Sequence, residues 1–356
     1  MPDRVAAVRE KFTSLKIDAF LITSLTNLRY LFGFTGSNGL AVILPGRIVF
    51  ITDNRYRDQV RDEVKGADIF IARASLFDEL ARSKALGQAK RVAFEAAHTS
   101  VASWQILTRK FPRLTFLATE KILEKITATR TAAELEHTRT ACQIACAVWR
   151  ELVPKIRTGI SENDIAAEIS YLGRRAGAEG DAFEPIVASG WRSALPHGLA
   201  SHKKLAAGEF VVVDFGFRYN GFCSDITRTV FLGEPDAQQR ALYDAVLEAN
   251  TRAREAARAG LRCAELDGVA RTSLKKRGYE KEFSHSLGHG LGIDVHSMPG
   301  VGARSEDVLQ AGNVITIEPG LYVPDSGGVR IEDDVHITEE GSELLTPLDR
   351  ELICIS

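Results

Sequence analysis

Phe210-Val-Val-Val-Asp214-Phe-Gly216 is the stretch that decides the fold of the larger part of this chain. An apolar run rich in β-branched residues reads as a buried strand, and it carries an acid just before a glycine. A charged carboxylate in that setting needs a partner, because burying it alone costs several kcal/mol. A salt bridge to Arg228 or Arg330 would satisfy Asp214 by itself.

Four more restrained motifs lie downstream: Cys223-Ser-Asp225-Ile-Thr-Arg-Thr229, Gly288-His289-Gly290-Leu-Gly292, Thr316-Ile-Glu318-Pro-Gly320 and Gly328-Val-Arg330-Ile-Glu332-Asp333-Asp334. An arginine can neutralise one acid, but it does not account for Asp214, Asp225, His289, Glu318 and Glu332 together. Divalent cations do. Four carboxylates and one imidazole form a hard donor set that suits Mn²⁺ and tolerates Co²⁺ or Zn²⁺. The number of ligands fits two ions about 3.5–4 Å apart, with a hydroxide activated between them. Gly288, Gly290 and Gly292 let the backbone approach such a pocket closely. Arg330 and Glu332 are two positions apart, so an extended chain would project both from one face and aim the guanidinium into the pocket.

Apolar runs at 210–214, 227–232, 314–318 and 329–337 read as strands, and 237–257 and 264–277 have helical composition. Leu135, Cys142, Ala145, Trp149 and Leu152 follow helical spacing, which predicts one amphipathic helix over 131–155. Ser161 can accept from an early backbone N–H, and Asp164 sits against the helix dipole, so a second helix should run to Arg175. This is an α+β domain with its acids on strands. Upstream, Ala19–Thr23, Leu40–Leu44, Ile48–Ile51, Ile69–Ile71 and Arg91–Phe94 alternate with helical stretches and predict a small α/β domain. With a linker at 126–130, the expected domains are 1–126 and 127–356.

The chain has 356 residues, 45% of them hydrophobic, enough for a substantial core. Its 45 basic and 47 acidic residues are interspersed, so no basic stripe offers a nucleic-acid footprint. Charges interrupt the first residues where a signal peptide needs an apolar core, and no window reaches the ~18 apolar residues of a membrane span. No membrane partner and a cytoplasmic location are expected. Cys142, Cys146, Cys223, Cys263 and Cys354 lack zinc-site spacing and read as buried reduced thiols.

Three histidines outside the ligand set lie in chemically suggestive surroundings. His197, in the loop-forming Ala194-Leu-Pro-His-Gly198, and His296, in Asp294-Val-His-Ser-Met-Pro299, can both reach a substrate. His285 either donates to substrate or orients the glycine loop. His98, His137, His202 and His336 read as structural.

Taken in order, these motifs resemble the Xaa-Pro peptidase branch of the pita-bread metallopeptidases, the M24-like prolidases and aminopeptidases P. Leu195-Pro-His-Gly198, Asp214-Phe-Gly216, Cys223–Thr229, Gly288-His-Gly290, Glu318-Pro-Gly320 and Arg330-Ile-Glu-Asp333 carry the C-terminal part of the likeness. Ile17–Thr23, Thr26–Asn38 and Thr52-Asp-Asn-Arg-Tyr56 carry the N-terminal part. The resemblance implies a creatinase/prolidase-type, ribonuclease H-like α/β domain followed by an α+β pita-bread catalytic domain. It also implies that Asp214 chelates one metal, that His289 and Glu318 chelate the other, and that Asp225 and Glu332 bridge both. Glu318, or failing it Glu332, would shuttle protons. His197 and His296 would contact substrate, as would Arg330 unless it supports the metals. The implied reaction is attack by a metal-bridging hydroxide on the carbonyl before proline in a di- or oligopeptide, by a homodimer.

The chain departs from the family at Ser297-Met-Pro-Gly300, where relatives often place Glu beside the histidine and some dipeptidases place Arg after the proline. Arg304, Arg192 or an arginine of the N-terminal domain would have to substitute, which leaves dipeptidase and aminopeptidase P both open. A creatinase-like C–N hydrolase and an inactive pita-bread binding module are the competing readings. The complete ligand set argues against both.

Overall fold

The apolar runs of the first third become five strands of a six-stranded sheet in a computed structural model that describes residues 2–324 and 326–356. The chain forms two compact units, Met1–Ile126 and Thr127–Ser356. In the first unit the strand order is Asp68–Ala72, Ile48–Asp53, Gly39–Ile43, Ala19–Ile22, Arg91–Glu95 and Thr115–Thr119. The pairs from Ile48–Asp53 to Gly39–Ile43 and from Gly39–Ile43 to Ala19–Ile22 are antiparallel, and the outer pairs are parallel. Ala19–Ile22 is buried throughout, as its uninterrupted apolar sequence requires. Thr115–Thr119 lies at the sheet edge, where its short Phe116-Leu-Ala118 run is only partly buried.

The second unit carries a four-stranded and a five-stranded sheet, each backed mainly by its own pair of helices, beside a small three-stranded sheet and a two-stranded ribbon. Helices Ala132–Leu152 and Glu162–Arg175 pack through Ile144, Val148, Trp149, Leu152, Ile165 and Ile169 onto a sheet ordered Ile353–Ile355, Ile226–Leu232, Phe210–Phe215 and Ile186–Ser189. Both helices open with reciprocal capping boxes, Thr131 with Glu134 and Ser161 with Asp164, each worth about 1 kcal/mol. Strand alternation sends Val211, Val213 and Phe215 toward these helices, which leaves Asp214 on the opposite face. Helices Ala237–Ala256 and Cys263–Lys276 pack on a second sheet ordered Ser297–Val301, Gly288–Gly290, Val314–Ile317, Asp333–Ile337 and Ser342–Leu344.

The expected single strand over 329–337 is two strands. Gly327–Arg330 pairs with Gly320–Val323 in a ribbon, and Asp333–Ile337 joins the second sheet. At the break, the Glu332 N–H bonds the Thr227 carbonyl of the first sheet instead of continuing a ladder. All five cysteines are free, and four are buried. Cys354 is exposed because it faces outward from the last strand.

Candidate metal centre

Asp214 and Asp225 come from the first sheet, and His289, Glu318 and Glu332 from the second sheet or its approach. In the antiparallel register Asp214 lies opposite Thr227, which places Asp225 one turn of the pleat away at the mouth of its strand. One ligand atom each from Asp225, His289 and Glu332 lies within 4.8 Å of the others. The His289 Nε2 is 3.7 Å from Asp225 Oδ2 and 3.4 Å from Glu318 Oε1, so Glu318 joins the group. Asp214 is tied to the group through Arg330, whose Nη2 donates to its Oδ2.

The ligands are held by hydrogen bonds from residues that sequence reasoning did not single out. The Thr316 hydroxyl accepts from the His289 backbone N–H at 3.1 Å and donates to Glu318 Oε1 at 3.2 Å. The Thr227 hydroxyl donates to Glu332 Oε2 at 2.7 Å and accepts from Arg330 Nε at 3.0 Å. Asp334 Oδ2 accepts the Asp225 backbone N–H at 2.9 Å. Both threonines were signalled by spacing: Thr227 lies two residues after Asp225, and Thr316 two before Glu318, so each shares a face with a ligand.

The protonation states follow from these surroundings. His289 Nδ1 donates to the Gly290 carbonyl at 3.1 Å, leaving the Nε2 lone pair toward the acids. Burial, with His296 beside it, holds the imidazole down at about 4, so it is neutral and able to ligate. Burial, reinforced by neighbouring carboxylates, pushes Asp225 and Glu332 well above the usual carboxylate range, and burial raises Glu318 to about 8. Asp214 is also raised by burial despite Arg330. Its Oδ1 is buried without a hydrogen-bond partner among the described residues. A crowd of acids around a neutral imidazole, with one oxygen unsatisfied, is a donor set that a divalent metal ion would complete.

Arg330 and Glu332 do reach the same side, since both meet the Thr227 hydroxyl although the chain leaves its strand between them. Arg330 is also bonded inside the protein. Its Nε, Nη1 and Nη2 all donate within the protein, to Thr227, Tyr322, the Pro196 carbonyl and Asp214. Tyr322 in turn donates to His285 Nε2 at 2.8 Å, and His285 Nδ1 donates to the Ser286 carbonyl. Burial holds His285 down at about 4, so it is a neutral acceptor with both ring nitrogens engaged. His296 packs its ring 4.4 Å from that of His289 and is exposed, as is His197. Arg192, named as a stand-in clamp for substrate, is committed to Glu162 and the Leu199 carbonyl. His98, His137, His202 and His336 face Glu124, Asn220, Asn163 and Glu343, away from the ligand group.

A set of hard donors converging between two sheets defines a metal-dependent hydrolase. The model of metallopeptidase family M24 matches residues 136–339, and that of the creatinase/prolidase N-terminal domain matches residues 4–127. The chain belongs to metallopeptidase family M24. It is 37% identical over 355 residues to an Xaa-Pro dipeptidase of Pyrococcus furiosus, covering 99% of this chain and 100% of that one. An Xaa-Pro dipeptidase from Bacillus anthracis superposes with a TM-score of 0.96 at 38% identity, over 99% of each chain. An X-Pro aminopeptidase from Thermotoga maritima superposes with a TM-score of 0.89 at 36% identity, over 97% of this chain and 100% of that one.

Proposed function

We propose that this metallopeptidase hydrolyses the bond between an N-terminal residue and proline, as an Xaa-Pro dipeptidase or an Xaa-Pro aminopeptidase. The observation that carries the reading is the convergence of Asp225, His289 and Glu332 on one point, in a chain that matches such enzymes along its length. In this reading Asp214, Asp225, His289, Glu318 and Glu332 hold two divalent ions, with Mn²⁺ preferred by the hard donor set. Bound there, the ions would supply Lewis acidity and an activated water.

The chain's own residues do the rest. Glu318 holds the proton and hands it to the departing imino nitrogen. His197 and His296 stand exposed beside the ligands and bind the scissile carbonyl and the leaving nitrogen. Arg330 fixes Asp214, and His285 fixes Tyr322 against Arg330. We place the enzyme in the cytosol as a homodimer. The free cysteines support the first assignment, and the family resemblance supports the second. No helix among the described residues is long and apolar enough to cross a membrane.

The test is hydrolysis of Ala-Pro and of an Xaa-Pro-Xaa tripeptide by Mn²⁺-loaded protein, with Asp225→Asn as the inactive control. Cleavage of the dipeptide alone makes the enzyme a dipeptidase, and cleavage of the tripeptide makes it an aminopeptidase. Turnover of neither sinks the proposal. A monomer mass by light scattering removes the dimer.

A further inference from the structure

Glu162 is the first residue of helix Glu162–Arg175 and is fully buried. A carboxylate there is ordinarily explained by the helix dipole. The capping of this helix, however, is done by Ser161 and Asp164, and Glu162 spends its oxygens elsewhere. Oε1 accepts from the Ser189 N–H and hydroxyl, both at 2.8 Å. Oε2 accepts from the Ser201 N–H at 3.1 Å, the Ser201 hydroxyl at 2.6 Å and Arg192 Nε at 3.1 Å.

These three residues bracket one segment. Ser189 ends the strand that leads into it, Ser201 lies just past it, and Arg192 sits inside the short helix Gly190–Ala194. Arg192 Nη2 then bonds the Leu199 carbonyl at 2.6 Å, closing the segment across its mouth. Lys203 Nζ supports the same corner, donating to the Ser189 hydroxyl at 2.8 Å and to Glu209. At its other end the segment meets the metal centre, where Arg330 Nη1 donates to the Pro196 carbonyl at 3.0 Å. The next residue is His197.

We propose that Glu162 is the positioning residue for the His197 loop, clamping segment 190–200 from outside while Arg330 holds it from the side of the metal centre. One carboxylate accepting five hydrogen bonds from both ends of a loop fixes its span, and charge-assisted bonds of this kind are about twice as strong as neutral ones. Without it, Ser189, Ser201 and Arg192 would be left with donors aimed at one point and no acceptor, and His197 would lose its fixed distance from the ligands. The inference rests on the reading of His197 as a residue that faces substrate.

Glu162→Gln preserves size, removes the charge facing Arg192 and turns one acceptor into a donor facing donors. The expected result is a fall in kcat/KM on the proline peptide of about tenfold to a hundredfold, the scale of a small misplacement near the reacting atoms. Metal content by elemental analysis should be unchanged, since Glu162 bonds none of the candidate ligands. In a His197→Ala background the same substitution should change kcat/KM less than about twofold, because coupled residues are not additive. The imidazole ¹⁵N–¹H spectrum should show the His197 signal displaced and the His289 signal in place. Where Glu162→Gln does not fold, Ser201→Ala removes the 2.6 Å bond and should shift the same signal. An unmoved His197 signal, or an equal loss of activity in both backgrounds, overturns the proposal. If His197→Ala retains full activity, the role of His197 in catalysis fails, and the imidazole spectrum alone still decides whether Glu162 sets the loop.

Discussion

Thr316 shows how much of this site depends on groups that never touch a metal. Its hydroxyl is shared by the His289 backbone and the Glu318 carboxylate, so Thr316→Val, nearly the same shape, strips support from two ligands at once. Loss of such supporting groups costs about 10–100-fold in metal affinity or activity. The half-buried N–H of His289, losing its Thr316 acceptor, adds about 0.5–1.5 kcal/mol of instability. Calorimetric titration with Mn²⁺ and a denaturation curve check both, and wild-type affinity in the variant would show the hydroxyl to be idle. The five candidate ligands stand out in the sequence because each lies in a motif of glycines or β-branched residues with little other reason to exist. Glu162, Tyr322 and Asp334 were not, because their partners lie 27 or more, 8 and 109 residues away and are chosen by strand and loop pairing.

Among the elements, the strand Gly288–Gly290 is closely confined by its neighbours. A Cβ on Gly288 would overlap the Thr316 carbonyl, and one on Gly290 the Met298 carbonyl, so both neighbouring strands approach as only glycine permits. Gly290→Ala should destabilise the protein by about 1–3 kcal/mol and lower its metal occupancy, because His289 moves with the strand. Urea denaturation with elemental analysis tests this, and a variant of unchanged stability and occupancy would contradict it. Helix limits were read well from the sequence, since apolar spacing and capping residues are local. The limits of the 329–337 run were not, because no glycine or proline marks where the chain leaves the ribbon for the second sheet. The mark of that transfer is Glu332, whose backbone bonds to Thr227 of the other sheet.

At the scale of the whole molecule, the metal centre is also a stability device. In the metal-free protein Asp225 and Glu332 are held well above the ordinary carboxylate range and Glu318 at about 8. Acids raised in the folded state stabilise it most below their unfolded values and lose that contribution as pH rises through the folded ones. The Tm of stripped protein should therefore fall between about pH 5 and about pH 8. Mn²⁺ should reverse the fall, by about 2.7 kcal/mol at a hundredfold excess over Kd. Scanning fluorimetry of stripped and loaded protein measures it, and a Tm indifferent to both pH and metal would be the contrary result. The division of the donors between two separately backed sheets has a further consequence. A chain that has assembled only one sheet offers two acids, or an imidazole and its neighbours, on an open face, and would hold an ion weakly. Tight capture would then act as a proofreading step on folding, since an ion held by all five donors would be retained only after both halves had closed around it.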